Sequence, residues 1–100
     1  MNAIRHSRPL RAEGVTLRRS ADEVMLYDPV QDRIHMLNDT AAAIWDLCDG
    51  QTDPEEMVGA ICLLTGLPPA VVEEDVARLL YGFFDAGLIT WAADPDAPGT

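Results

Sequence analysis

A chain of 100 residues is long enough for one domain and too short for two. Folding at that size buries only about 60 to 65% of the unfolded surface, which leaves little room for a deep substrate pocket. With 48% hydrophobic and 24% charged residues the composition is that of a globular protein, and the net charge of -10 disfavours nucleic acid and anionic lipid as partners.

The charge is unevenly placed. Arg5, Arg8, Arg11, Arg18, Arg19 and Arg33 lie in the first third, and Arg78 is the only base beyond it. The later part is therefore acidic and suits a basic peptide or a basic surface on another protein. No run of about 18 apolar residues occurs and the N-terminus lacks the apolar segment of a secretory signal, so the chain is expected to stay in the cytosol. Cys48 and Cys62 have neither CxxC spacing nor a neighbouring His, and they read as reduced, packed thiols.

Residues 1–14 carry Arg, Pro and Gly without periodicity and read as a flexible arm. Residues 15–19 and 23–28 are short β-branched or aromatic runs that read as two strands of a hairpin. Asp28 to Asp32 form a turn, because Pro29 presets its φ and the flanking Asp side chains bond local backbone. A third strand is expected over 33–37.

Asn38 is a good N-cap, and Ala41, Ile44, Trp45 and Cys48 recur at helical spacing before Gly50 ends the segment. Thr52, Asp53, Pro54 and Glu55 match a capping box, after which Met57, Val58, Ile61 and Leu64 form the expected buried stripe of a second helix up to Gly66. Pro68 and Pro69 restart the chain. Val72, Val76, Leu79, Leu80 and Phe83 make the inner face of a third helix, with Glu73, Glu74 and Asp75 early in it and Gly87 as its stop. A short strand over 88–91 and a disordered tail over 92–100 complete the order. The fold class expected is α+β and winged-helix-like, a three-stranded antiparallel sheet followed by a three-helix bundle.

Chemistry is sparse. The carboxylates cluster near helix starts, where dipole-matched solvated faces account for them, and His35 has no partner at ligand spacing. No Ser or Thr has an activating base nearby in sequence pattern, and the glycines are single turns and stops. Catalytic residues, metal and cofactor are each expected to be none, which points to a binding module. Two features exceed packing. The third strand reads as a sheet edge open to an added strand. The third helix holds Gly82 in its interior beside Tyr81, Phe83 and Phe84, and a helix with one buried stripe cannot turn all three aromatics inward.

VMLYDPVQDRIHMLNDTAAAIWDLCDG, a spacer, then EEDVARLLYGFFDAGLI resembles the PqqD family, the small peptide chaperones also called RiPP recognition elements. The similarity spans about 15 to 89, carried by Leu37-Asn38-x-Thr40-Ala41, Ile44-Trp45, Asp49-Gly50, Asp75-Val76 and Gly87-Leu88-Ile89. It implies a peptide-binding domain over 15–91 that takes the leader of a ribosomally made precursor as an added strand and hands it to a modifying enzyme, a radical S-adenosylmethionine enzyme or a leader peptidase. By position, the strand contacts would be Arg33, Ile34, His35, Met36 and Leu37, and the helix contacts Asp75, Val76, Arg78, Leu79, Gly82 and Phe83. A winged-helix DNA-binding regulator and a non-catalytic self-associating subunit stay open as alternatives, as does a homodimer through the same edge.

Overall fold

The computed structural model describes residues 8–92. In chain order these form β1 (Arg8–Arg11), β2 (Thr16–Arg19), β3 (Val24–Asp28), β4 (Arg33–Leu37), α1 (Asp39–Asp46), α2 (Pro54–Thr65), α3 (Pro69–Asp85) and β5 (Ile89–Ala92). The architecture is mixed α+β: a three-stranded antiparallel sheet ordered β2-β3-β4, a two-stranded sheet of β1 and β5, and three helices. No helix among the described residues is long and apolar enough to cross a membrane.

Period-two alternation sets the larger sheet. Val24, Leu26 and Asp28 of β3 are buried while Met25 and Tyr27 are only partly so, which puts one face of the sheet on the core. Leu26 and Ile44 are fully buried with Trp45, Met57, Val76, Leu80 and Leu88 in one continuous cluster. Each such side chain contributes about 1.5 to 3 kcal/mol against remaining exposed.

The strand expected over 15–19 begins one residue later, and that over 23–28 likewise. The hairpin and the third strand stand as expected.

The helices differ more in their ends. The Asn38 side chain caps α1 by accepting the Ala41 N–H at 2.8 Å. The helix then stops at Asp46, four residues before Gly50. The cause is non-local: Cys48 O accepts from Arg11 N at 2.8 Å and Gly50 N donates to Pro9 O at 2.9 Å, so the main chain of 48–50 is drawn alongside β1. Gly50 has φ 77° there, and a Cβ would meet Leu10 at 3.2 Å, so only glycine fits without a shift.

The capping box of α2 lies one residue later than the sequence suggested. Asp53 accepts from Glu56 N at 2.8 Å and Glu56 accepts from Asp53 N at 3.1 Å, because Pro54 takes the first helical position, which its fixed φ suits, and the residue immediately before it becomes the cap. Of the expected α2 stripe, Met57 and Ile61 are buried and Val58 is partly buried, whereas Leu64 is exposed.

Arg8–Arg11 corrects the expected arm of 1–14. β1 pairs antiparallel with β5, Pro9 against Trp91 and Leu10 against Thr90. Arg11 also supplies the cation that α1 lacks in its own last turn: its guanidinium donates to Asp46 O at 2.6 Å and sits 5.5 Å from the centre of the Trp45 ring. Arg8 Nε reaches Gln51 O at 3.1 Å and Arg19 lies 3.9 Å from Asp46. Part of the basic N-terminal third is thus spent holding the acidic loop around α1. Residues 1–7 and 93–100, where the rest of the expected arm and tail fall, lie outside the described residues.

Candidate functional site

A single hydrogen bond fixes which groups of β4 are open. Ser20 N donates to Glu23 O at 2.9 Å, which makes Ser20 and Glu23 a hydrogen-bonded pair closing the β2–β3 hairpin. Main-chain groups alternate sides along a strand. Met25 and Tyr27, opposite Arg18 and Thr16, therefore point theirs toward β2, and Val24, Leu26 and Asp28 point theirs toward β4. Their partners there are Leu37, His35 and Arg33.

The N–H and C=O of Ile34 and Met36 consequently aim away from β3. Among the described residues β4 pairs with no other strand.

The same alternation sorts the side chains. Arg33, His35 and Leu37 share the face of buried Leu26, and Leu37 packs against the core cluster. Ile34 and Met36 emerge on the opposite face and are 61% and 57% exposed. This edge is short and carries one exposed charge, Arg33, but beyond it two large apolar side chains stand beside unpaired donors and acceptors, with no proline in the strand to block strand addition. His35 is half-buried, and its Nε2 is buried without a hydrogen-bond partner. Arg33 is exposed and has no ion-pair partner among the described residues.

The hairpin that presents β4 is locked at its tip. Asp28, a buried carboxylate, accepts from the N–H of Val30 at 3.0 Å, the N–H of Gln31 at 3.3 Å and Gln31 Nε2 at 3.0 Å. Gln31 Nε2 also donates to Ala86 O at 3.0 Å, joining the tip to the C-terminal end of α3. Gly87 follows at φ 75°, and a Cβ there would stand 3.0 Å from that same Nε2. The glycine that stops the helix also leaves room for the strut.

α3 divides the residues that the resemblance assigned to it. Val76 and Phe83 are buried in the core with Val72 and Leu80. Asp75, Arg78, Leu79, Gly82 and Ala86 recur at i, i+3, i+4, i+7 and i+11, a flanking stripe that ends at the Gln31 strut. On it, Leu79 is partly buried and Arg78 donates to Asp75 Oδ1 at 2.7 Å in an exposed pair. A Cβ on Gly82 would meet nothing within 4 Å, so the helix backbone is laid bare to open space there. Of the three aromatics, Phe83 turns inward while Tyr81 and Phe84 stay exposed, and the Phe84 ring lies 6.1 Å from that of Trp91.

One feature of the site escaped the sequence reading. Arg18, Met25, Tyr27 and Ile34 line a shallow depression on the outer face of the sheet, with the Arg18 guanidinium 5.5 Å from the Tyr27 ring centre. The outward set of the alternating pattern was the available signal. Among the described residues two ionisable groups are perturbed, both away from β4. Burial pushes the Cys48 thiol up to about 12, and its Sγ bonds Ile44 O at 3.2 Å. Desolvation raises the Asp49 carboxyl, but hydrogen bonds from the N–H groups of Gln51 and Thr52 and from the Thr52 hydroxyl outweigh it and hold the group below its usual range. Both cysteines are free.

The structure resembles TbiB1 in complex with the TbiA(beta) leader peptide, at TM-score 0.70 and 26% identity over 80% of this chain and 93% of that one. It also resembles the PqqD truncation of Methylobacterium extorquens PqqCD, described as a functional and stand-alone RiPP recognition element, at TM-score 0.70 and 25% identity over 82% and 87%. Lasso peptide synthetase B1 complexed with the leader peptide shares the fold at TM-score 0.73 and 18% identity, over 83% of this chain and 98% of that chain. No curated protein matches the sequence. The profile of Coenzyme PQQ synthesis protein D matches residues 23–89, from the first residue before β3 to the start of β5, and the chain belongs to the PqqD family.

Proposed function

We propose that this chain binds the leader of a ribosomally synthesised precursor peptide as a strand added to β4 and presents it to a modifying enzyme. The observation that carries the reading is the pair of outward main-chain positions at Ile34 and Met36 on an open edge. A guest strand there hydrogen-bonds to those two residues, and its side chains on the helix side meet the Asp75, Leu79 and Gly82 stripe. The named resemblance to two leader-peptide complexes and to a recognition element supports it.

Val76 and Phe83 act in this reading as the floor that holds the stripe. Arg33 has its charge available for a leader carboxylate, and Arg78 gains that freedom by leaving its exposed pair with Asp75, a pair worth well under about 1 kcal/mol. The chain contributes no chemistry of its own. It raises the local concentration of the core peptide at a radical S-adenosylmethionine enzyme or leader peptidase in the cytoplasm. We read the architecture over 15–91 as winged-helix-like. A DNA-reading winged helix would want a basic third helix, and α3 instead carries Glu73, Glu74, Asp75 and Asp85 against Arg78 alone. The same edge accommodates a second copy, so leader and homodimer compete for it.

Titrating the full chain with a synthetic leader from the precursor reading frame nearest its gene tests the proposal. Saturable binding with amide shifts across 33–37 is expected. Absence of binding, or shifts confined to other elements, overturns it.

A further inference from the structure

The corner between α2 and α3 stands apart from everything used above. From Met57 to Val72 the sequence MVGAICLLTGLPPAVV contains no charged residue, in a chain of net charge -10. Met57, Ile61 and Val72 are buried, but Leu63 is 92% exposed, Leu64 69%, and Leu67 and Val71 are exposed beside them. Gly66 at φ 73° turns the chain between the two helices, so these four side chains cluster at one end of the helix pair. Single exposed leucines are ordinary, whereas four large apolar side chains on one uncharged corner form a patch of the kind that marks an interface.

Charge selects the occupant. Glu73 and Glu74 follow the uncharged run directly, early in α3, and residues 51–92 carry seven acidic side chains and one Arg. A second copy would bring acid against acid, and an anionic membrane would be repelled in the same way. The complementary surface is an apolar recess rimmed by Lys or Arg on another protein.

The corner also lies away from the leader edge. The C-terminal end of α3 is tied to the β3–β4 turn through Gln31 and Ala86, about 25 Å of helix from the corner at its N-terminal end, and the leader stripe between them starts at Asp75. A partner seated there leaves Ile34 and Met36 open.

We infer that the α2–α3 corner, led by Leu63 and Leu64 and rimmed by Glu73 and Glu74, is the docking surface for a basic-rimmed apolar recess on the modifying enzyme. The inference rests on the leader-binding reading, since it names the partner that reading requires. It assigns the two tasks to separate surfaces: β4 with the Asp75, Leu79 and Gly82 stripe holds the peptide, and the corner holds the enzyme.

The test uses the full chain, its leader peptide and the purified modifying enzyme encoded beside it. Leu63→Glu, at a side chain in open solvent, is expected to keep the fold and bind the leader within about twofold of wild type, while its affinity for the enzyme falls roughly tenfold or more. Glu73→Lys with Glu74→Lys is expected to weaken enzyme binding likewise, and raising salt from about 50 to about 500 mM to weaken the wild-type complex. Enzyme-induced amide shifts are expected over 63–74. Unchanged enzyme affinity of Leu63→Glu, shifts elsewhere, or a wild-type dimer that Leu63→Glu converts to monomer each overturn the inference. If the leader binds at β4 and the enzyme ignores the corner, only this inference fails. If the leader does not bind, the reading beneath it fails too.

Discussion

β1 and β4 are both short strands, yet they dispose of their backbones in opposite ways. β1 is paired on one side with β5 and on the other with residues 48–50, and Pro9 turns its main chain to the latter side, where its missing N–H removes no bond to β5. Arg11 adds a guanidinium bond to the end of α1. β4 is paired on one side only and leaves Ile34 and Met36 with unused donors and acceptors. Buried backbone groups are almost always satisfied within the fold, whereas a surface edge turns its spare groups to water, where an added strand can take them. The contrast teaches that the N-terminal segment is a fastening and that the open edge lies on the other sheet.

The largest test of the closed region is alkaline pH. The unfolded Cys48 thiol ionises near its ordinary value of 9.0, whereas the folded one holds its proton up to about 12. Its folded value is raised, so the stability it contributes is whole below 9.0 and is lost as pH rises toward about 12. A loss of about 2 to 3 kcal/mol is expected by about pH 11. Urea denaturation against pH should show this decline, and Cys48→Ala should flatten it; an equally steep decline in that variant would assign the loss to other groups.

Proline separates the two sides of β4. His35→Pro removes an N–H that pairs with Leu26 and should cost about 2 kcal/mol or more in thermal or urea unfolding. Met36→Pro removes an N–H aimed outward, so it should cost far less stability while weakening leader affinity by roughly tenfold. The reverse order, Met36→Pro costing more than His35→Pro, would show that the alternation derived from Ser20 and Glu23 is out of phase.

Arg11→Ala should cost about 1 to 2 kcal/mol, through the lost carbonyl bonds and the uncovered Trp45 ring, with leader affinity of the folded protein unchanged. A loss of leader affinity larger than the loss of stability would mean that the fastening and the edge are coupled.

The pattern of what could be read from the sequence follows the same division. β2, β3 and β4 show in the alternation of 16–37, and α1 begins where Asn38 says it should, because hairpins and caps are local. β1 does not show. Its residues RPLR have no period, and the strand exists because β5, some eighty residues later, lies beside it.

The end of α1 was misjudged for the same reason, since Cys48 to Gly50 obey β1 rather than helix propensity. In α2, two overlapping patterns both fit a capping box, and Pro54 decided between them. Of the site, the edge was legible and the helix side only half so. Helical period put Val76 and Phe83 on the inner face, where the structure has them, whereas the resemblance by position had counted both as guest contacts.

The smallest expected effect lies on the helix side. Gly82→Ala adds a methyl group to open space and should stabilise the protein by up to about 1 kcal/mol. Gly82→Leu should keep the fold and obstruct the guest, measured as weaker leader binding; unimpaired binding would move the guest off that stripe.

Amide hydrogen exchange along β4 tests the central claim most directly. In the free protein His35 and Leu37 should be protected, while Ile34 and Met36 exchange rapidly. Saturating leader peptide should then protect Ile34 and Met36 and leave the other two as they were. Rapid exchange at Ile34 and Met36 in the saturated complex would contradict strand addition at this edge.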